Sequence, residues 1–227
     1  LNSVSDIRTL YDEILLEDVI NEDEKDKPDG VIFRKGSVEI SSGTKVIHQG
    51  IVGENNIIDM IEKSLKILNN ENINFLIRIA VFHYLFEYIH PFYNGNGRMG
   101  RFLASAYLAN HLNILCALQF SIACTHNNKK YYEAFTLTND IRNKSDLTVF
   151  IIYFLEIYLS GLQELKDKIE DTINVYNYTV KKLYKYVDSK YQLLVELILQ
   201  AHYLGLKVLQ CHNSLKSLTI VNKVFEQ

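Results

Sequence analysis

Between Phe75 and Ile89 the chain reads FLIRIAVFHYLFEYI, with Leu76, Ile77, Val81, Phe82, Leu85 and Phe86 leaving almost no polar face. A helix apolar all round is stable only inside a bundle, with other helices about it. It must stop at His90-Pro91, because proline has no N–H to donate and its ring clashes with the preceding turn. Only two prolines occur in 227 residues. With long apolar-periodic segments, this predicts a mainly α fold. Further helices are expected over 6–19, 57–68, 101–112, 147–159 and, long and amphipathic, 162–190. The charged run NEDEKDKPDG, 21–30, ends in a turn signal and reads as a surface loop. One stretch changes character: 38–40 and 46–47 flank SSGT as the arms of a short β-hairpin do.

The bulk numbers exclude several classes. A net charge of −3 provides no overall basic field to recruit nucleic acid. Cys116, Cys124 and Cys211 are odd in number and form no CxxC pair, so reduced thiols and a cytoplasmic location are expected. The longest apolar stretches contain Arg, His or Glu, so no membrane span is expected, and no signal peptide opens the chain. It begins at Leu1 rather than Met and reads as part of something longer. The expected division is a first domain over 1–165 and a C-terminal helical region over 166–227.

The stretch after the apolar helix, HPFYNGNGRMGR over 90–101, has glycines at 95, 97 and 100. G-x-G-x-x-G is the dinucleotide fingerprint, but that fold needs a buried strand before the first glycine, and here a helix precedes it. The loop still favours phosphate. Gly95 and Gly97 permit backbone conformations that let successive N–H groups form an anion nest. The helix that follows adds its unpaired donors and partial positive charge. Arg98 and Arg101 fall on one face of that helix and can fork onto phosphate oxygens. Asn94 offers a carbonyl oxygen to a divalent cation. His90 is the nearby group able to take a proton near neutrality.

HPFYNGNGRMGR resembles the signature of the Fic family, HPFx(D/E)GNGRxxR, at every fixed position except the acidic one, which is Asn94 here. The resemblance extends over about 6–160. FHYLFEYIHPF, 82–92, resembles the helix leading into the motif. The hairpin near 36–48 sits where such proteins carry a flap, and NNKKYYEAF, 127–135, resembles the segment that closes on the nucleotide base. The resemblance implies a Fic-type helical bundle with a β-hairpin flap. It also implies a protein adenylyltransferase that moves AMP from ATP to a Ser, Thr or Tyr hydroxyl, with Mg²⁺ or Mn²⁺ as cofactor. His90 would be the base and Phe92 a buried anchor for the loop. Gly95, Asn96 and Gly97 would cradle the phosphates. Arg98 would bind the β/γ end and the leaving pyrophosphate, with Arg101 in support. Asn94 would stand where an acid holds the metal, without its charge. Phosphocholine transfer, phosphorylation and AMP removal are the family's other chemistries.

The flap, with Val46 and Ile47, has a strand edge able to dock a target segment by main-chain pairing. Tyr131 and Tyr132 are candidates to stack on adenine. His83 and Glu87, one helical turn apart, read as a buried hydrogen-bonded pair, since a di-iron bundle needs a second E-x-x-H that is absent. The last third reads either as a truncated winged-helix or helix-turn-helix unit, with 217–224 opening its recognition helix, or as a helical subdomain. Fic proteins often carry an inhibitory (S/T)xxxE(G/N) helix. Thr9 and Glu13 have its spacing but Ile14 follows, so an inhibitor is expected upstream in cis or from another protein. Two readings stay open: an active AMP transferase, and a nucleotide-binding regulator with a C-terminal DNA-binding module.

Overall fold

The computed structural model describes residues 1–42 and 45–203, with the side chains of 40–47 outside that description. The chain divides into two compact units, Leu1–Leu165 and Lys166–Gln227.

The first helix, α1 (Val4–Ile14), starts at a capping box: Ser3 Oγ accepts from the Asp6 N–H, and the Asp6 carboxylate accepts from the Ser3 N–H. The single helix expected over 6–19 is in fact two. The backbone leaves helical geometry at Leu15, and α2 (Leu16–Glu22) follows. The bend has a packing cause. It brings Tyr11, Leu15 and Val19 around Gly95 of the glycine loop.

Strands β1 (Glu39–Ser42) and β2 (Lys45–Gln49) pair antiparallel, Glu39 opposite Gln49 and Ser42 opposite Lys45, with a register shift between Ile40 and Ser41. The hairpin's base is bonded to its surroundings. Gly50 N–H donates to Val38 O, Ile51 N–H to Ile89 O, and Arg34 N–H to Pro91 O.

Helix α4 (Phe75–Ile89), capped by Asn74, packs between α3 (Glu54–Leu68) and α5 (Asn96–Ala109). Its Ile79, Phe82, Phe86 and Ile89 are essentially inaccessible, as its all-round apolarity requires. The helix expected from 101 begins five residues earlier, so Asn96, Gly97 and Arg98 form its first turn. Helix α6 (Ile114–His126), which no sequence expectation covered, packs on α5, and α7 (Asn128–Thr138) follows it.

The segments expected as two helices over 147–159 and 162–190 form one, α8 (Thr148–Leu183). Gly161 does not break it. An added Cβ there would stand 2.6 Å from the Ala123 Cβ, so glycine permits close approach to α6. By length and composition α8 can cross a membrane, with mean hydropathy 1.3 in its most apolar stretch, of which 28% is buried. Within the first unit its Phe150, Phe154, Ile157 and Tyr158 belong to the buried core.

In the second unit, α9 (Gln192–Tyr203) returns along the end of α8. Tyr203 stands edge-on to Tyr176, and the Thr179 and Tyr203 hydroxyls are 3.2 Å apart. The expected recognition helix over 217–224 lies outside the described residues.

Candidate active site

The last helical residue of α4 is Ile89, and His90 caps the helix in the left-handed region at φ 55° and ψ 64°. A residue with a Cβ adopts that conformation at some cost, though histidine is among those that tolerate it best. The turn leaves the His90 N–H on Phe86 O at 3.0 Å and sets its ring Nδ1 3.2 Å from Glu87 O. A carbonyl only accepts, so Nδ1 carries the ring proton and Nε2 presents a lone pair. Burial is the main force holding the imidazole's pKa down at about 4. The Glu87 carbonyl opposes it, and the charges of Arg34 and His48 add to it. At neutral pH His90 is therefore an unprotonated acceptor.

Phe92 is fully buried. Its ring stacks on Tyr11 at 3.7 Å and meets Phe33 edge-on. Asn96 locks the loop by a reciprocal pair: its Oδ1 accepts from the Phe92 N–H at 2.9 Å, and its Nδ2 donates to Phe92 O at 2.8 Å. The Asn96 side chain serves the loop's own backbone, so only its main-chain N–H remains for a phosphate. Gly95, at φ 81°, is the residue before α5, a position open to glycine at little cost. Side chains of Ser3, Asn74 and Asn113 cap α1, α4 and α6, whereas α5, like α2, α3 and α7, has no capping side chain. Its first-turn N–H groups therefore lack both an intrahelical acceptor and a capping side chain. Arg101 folds back over Gly97, where an added Cβ would stand 3.2 Å from Nη1.

Arg98 lies on the exposed side and is paired. Its Nη1 is 3.4 Å from Glu22 Oε1, with both side chains well exposed. Asn94 Nδ2 donates to Glu22 Oε2 at 3.1 Å and to Asp26 Oδ2 at 3.0 Å, while its Oδ1 accepts from the Gly95 N–H at 2.6 Å. The Asn94 side-chain oxygen thus already accepts one bond within its own loop, and its amide donors face two carboxylates. An acid at 94 would instead set a third carboxylate beside Glu22 and Asp26. Among the described residues no group of three or more His, Cys, Asp or Glu side chains could hold a metal. Sequence reading missed Glu22 and Asp26. They lie in a run of acids and lysines whose spacing marks none of them.

Two further expectations are corrected. Tyr131 does not face an adenine. It is buried at 6% exposure, and its hydroxyl bonds His83 Nε2 at 2.9 Å, while Tyr132 stands exposed beside it. The signal was in the helix period: Tyr131, Ala134 and Thr138 share the buried face of α7. Nor do His83 and Glu87 pair. His83 Nδ1 bonds Gly100 O at 3.1 Å, and burial keeps the ring neutral, with its pKa down at about 3. Glu87 Oε1 is buried without a hydrogen-bond partner, and desolvation raises the carboxyl to about 7, against the pull of Arg101. The third glycine of the motif explains its position. A Cβ at Gly100 would fall 2.2 Å from that oxygen.

The arrangement joins an unprotonated imidazole, an uncapped helix start and two arginines, one buried-side and one exposed. Base catalysis beside a bound polyphosphate is the chemistry such a set can perform. The family model described as Fic/DOC family matches residues 2–108. A "probable protein adenylyltransferase" of Aquifex aeolicus (strain VF5) is 46% identical over 43 residues, 19% of this chain and 13% of that protein. The crystal structure of a Fic family protein from Desulfovibrio desulfuricans G20 is similar at a TM-score of 0.59 and 21% identity, covering 91% of this chain and 58% of that one. The chain thus spans less than two thirds of each. The second likeness speaks to the fold. The glycine loop, the hairpin, α4 and all but the last residue of α5 lie within the matched segment, and residues 2–108 are a Fic/DOC family domain.

Proposed function

We propose that the site transfers AMP from ATP to a Ser, Thr or Tyr hydroxyl of a target protein. The observation that carries this reading is the neutral His90, its Nε2 lone pair free, on the same short loop as the uncapped start of α5. The target hydroxyl oxygen attacks the α-phosphorus while its proton passes to His90 Nε2. An O–P bond forms, the bond from the α-phosphorus to the β-bridging oxygen breaks, and pyrophosphate leaves. The N–H groups at the α5 start hold phosphate oxygens. Arg98 takes the β/γ end once Glu22 releases it, and stabilises the charge that grows on the leaving group. Arg101 supports the loop from behind Gly97. The free edge of the hairpin docks the target backbone. No step here runs through a metal. The name of the Aquifex relative supports the same reading for this chain.

The test is incubation with ATP labelled at either the α- or the γ-phosphate, over a range of Mg²⁺ and Mn²⁺ concentrations. Label on protein from the α position alone supports AMP transfer. Label from the γ position alone would make the site a kinase. The pairing of Arg98 with Glu22 favours a second reading, a nucleotide-binding regulator. That reading expects ATP binding by calorimetry and no protein label from either position.

A further inference from the structure

Arg34 lies at the foot of the hairpin, fully buried. Burying a guanidinium costs heavily unless its donors are met. Among the described residues no carboxylate forms an ion pair with it. Its donors go to backbone carbonyls at the end of α4 and in its own loop: Nε to His90 O at 2.8 Å, Nη2 to Ile89 O at 3.3 Å, and Nη1 to Gly36 O. The carbonyl end of a helix is where a cation is favoured. Arg34's own N–H donates to Pro91 O at 3.2 Å, so one residue grips the chain on both sides of the His90 turn. Gly50 closes the site from the other side. A Cβ there would stand 2.5 Å from Arg34 Nη2 and 3.1 Å from His90 Cβ. Ile89 O keeps a second donor, Ile51 N–H, whereas among the described residues the only donor to His90 O is Arg34.

We propose that Arg34 is the positioning residue for His90: its guanidinium holds the carbonyls that bracket the left-handed turn and so fixes where the imidazole stands. The proposal rests on the reading of His90 as the base. A residue in the left-handed region persists only where its surroundings over-determine it, and here the forked guanidinium is the largest such constraint. A lysine keeps the charge but cannot reach three carbonyls in a plane.

Two variants test this by different routes. Arg34→Lys removes the fork and keeps the charge; Gly50→Ala displaces the guanidinium and removes no donor. Three readouts apply to folded protein: ATP affinity by calorimetry, the rate of AMP transfer, and the ring signals of His90 in protein labelled at histidine and assigned with His90→Asn. The expected result in both variants is a loss of transfer of about ten- to a hundredfold. ATP affinity should stay within about twofold, since no phosphate contact changes. The His90 signal should move while the remaining histidines hold theirs, His48 excepted because its ring also contacts the end of α4 through Tyr88. An unmoved His90 signal in either folded variant overturns the proposal, as does a fall in ATP affinity that matches the fall in transfer. Where the unmutated protein transfers no AMP at all, the functional reading fails and the ring signal alone still decides for or against Arg34.

Discussion

The two sides of the glycine loop are built on opposite terms. On the His90 side the contacts are buried and redundant: Arg34 beneath the turn, Asn96 bonded twice to Phe92, and Phe92 stacked on Tyr11. On the Arg98 side one long ion pair to Glu22 spans two exposed side chains. Buried bonded groups lose much when a partner goes, while exposed pairs contribute little and exchange readily. The difference divides the labour. The group that must be aimed is over-determined, and the group that must accept a ligand is held by something a phosphate can displace.

The sharpest way to break that comparison is at the base. His90→Asn tolerates the left-handed backbone and removes the proton acceptor. Transfer should fall by about 10²- to 10⁴-fold, with ATP affinity nearly unchanged by calorimetry. Transfer at a comparable rate would place the base elsewhere. On the exposed side, Arg98→Ala should weaken ATP by about ten- to a hundredfold. AMP should be little affected, because it has no β- or γ-phosphate to lose. Equal losses for the two nucleotides would move Arg98 to the α-phosphate.

Glu87 tests the buried side through stability alone. Its carboxyl titrates at about 7 in the fold against 4.5 when free, so the folded state holds the proton more tightly. That contribution is whole below about pH 4.5 and is lost as pH rises through 7. His83 works in the opposite direction. Its depressed value makes stability fall as pH drops below about 6.5. Glu87→Gln should therefore be more stable than the parent at pH 8, by on the order of 1–2 kcal/mol in urea melts, and the gain should shrink toward pH 5. A difference independent of pH would mean the carboxyl is not buried in its protonated form. The smallest effect belongs to the exposed pair. Glu22→Gln should tighten ATP by only about two- to fivefold. A hundredfold gain would show that Glu22 blocks the site rather than merely pairing beside it.

What was legible in the sequence follows the same division. The burial of α4, its stop at His90-Pro91, the hairpin and the helix after the glycines all come from local pattern and were readable. Residues that act through distant backbone were not. Arg34 follows Val31, Ile32 and Phe33, and two of its acceptors are carbonyls 55 and 56 positions away. Asn94 reads as a lone side chain, and nothing in the sequence shows Glu22 and Asp26, about 70 positions earlier, arriving on its amide. The helices expected over 147–159 and 162–190 run on as one through Gly161, whose packing against Ala123 the sequence does not show. Tyr131 and Tyr132 are neighbours in sequence but about 100° apart on α7, so burial claims one and leaves the other in water.

The bare start of α5 has a consequence for how the protein responds to heat. A helix whose first donors lack partners is under-stabilised at that end by roughly what a capping side chain supplies elsewhere, about 1 kcal/mol. Any anion that fills the loop completes the helix, so occupancy and folding become one equilibrium. At a hundred times its dissociation constant such a ligand adds about 2.7 kcal/mol to the folded state. The melting temperature then reads out which phosphate compounds the loop accepts, with no reaction required.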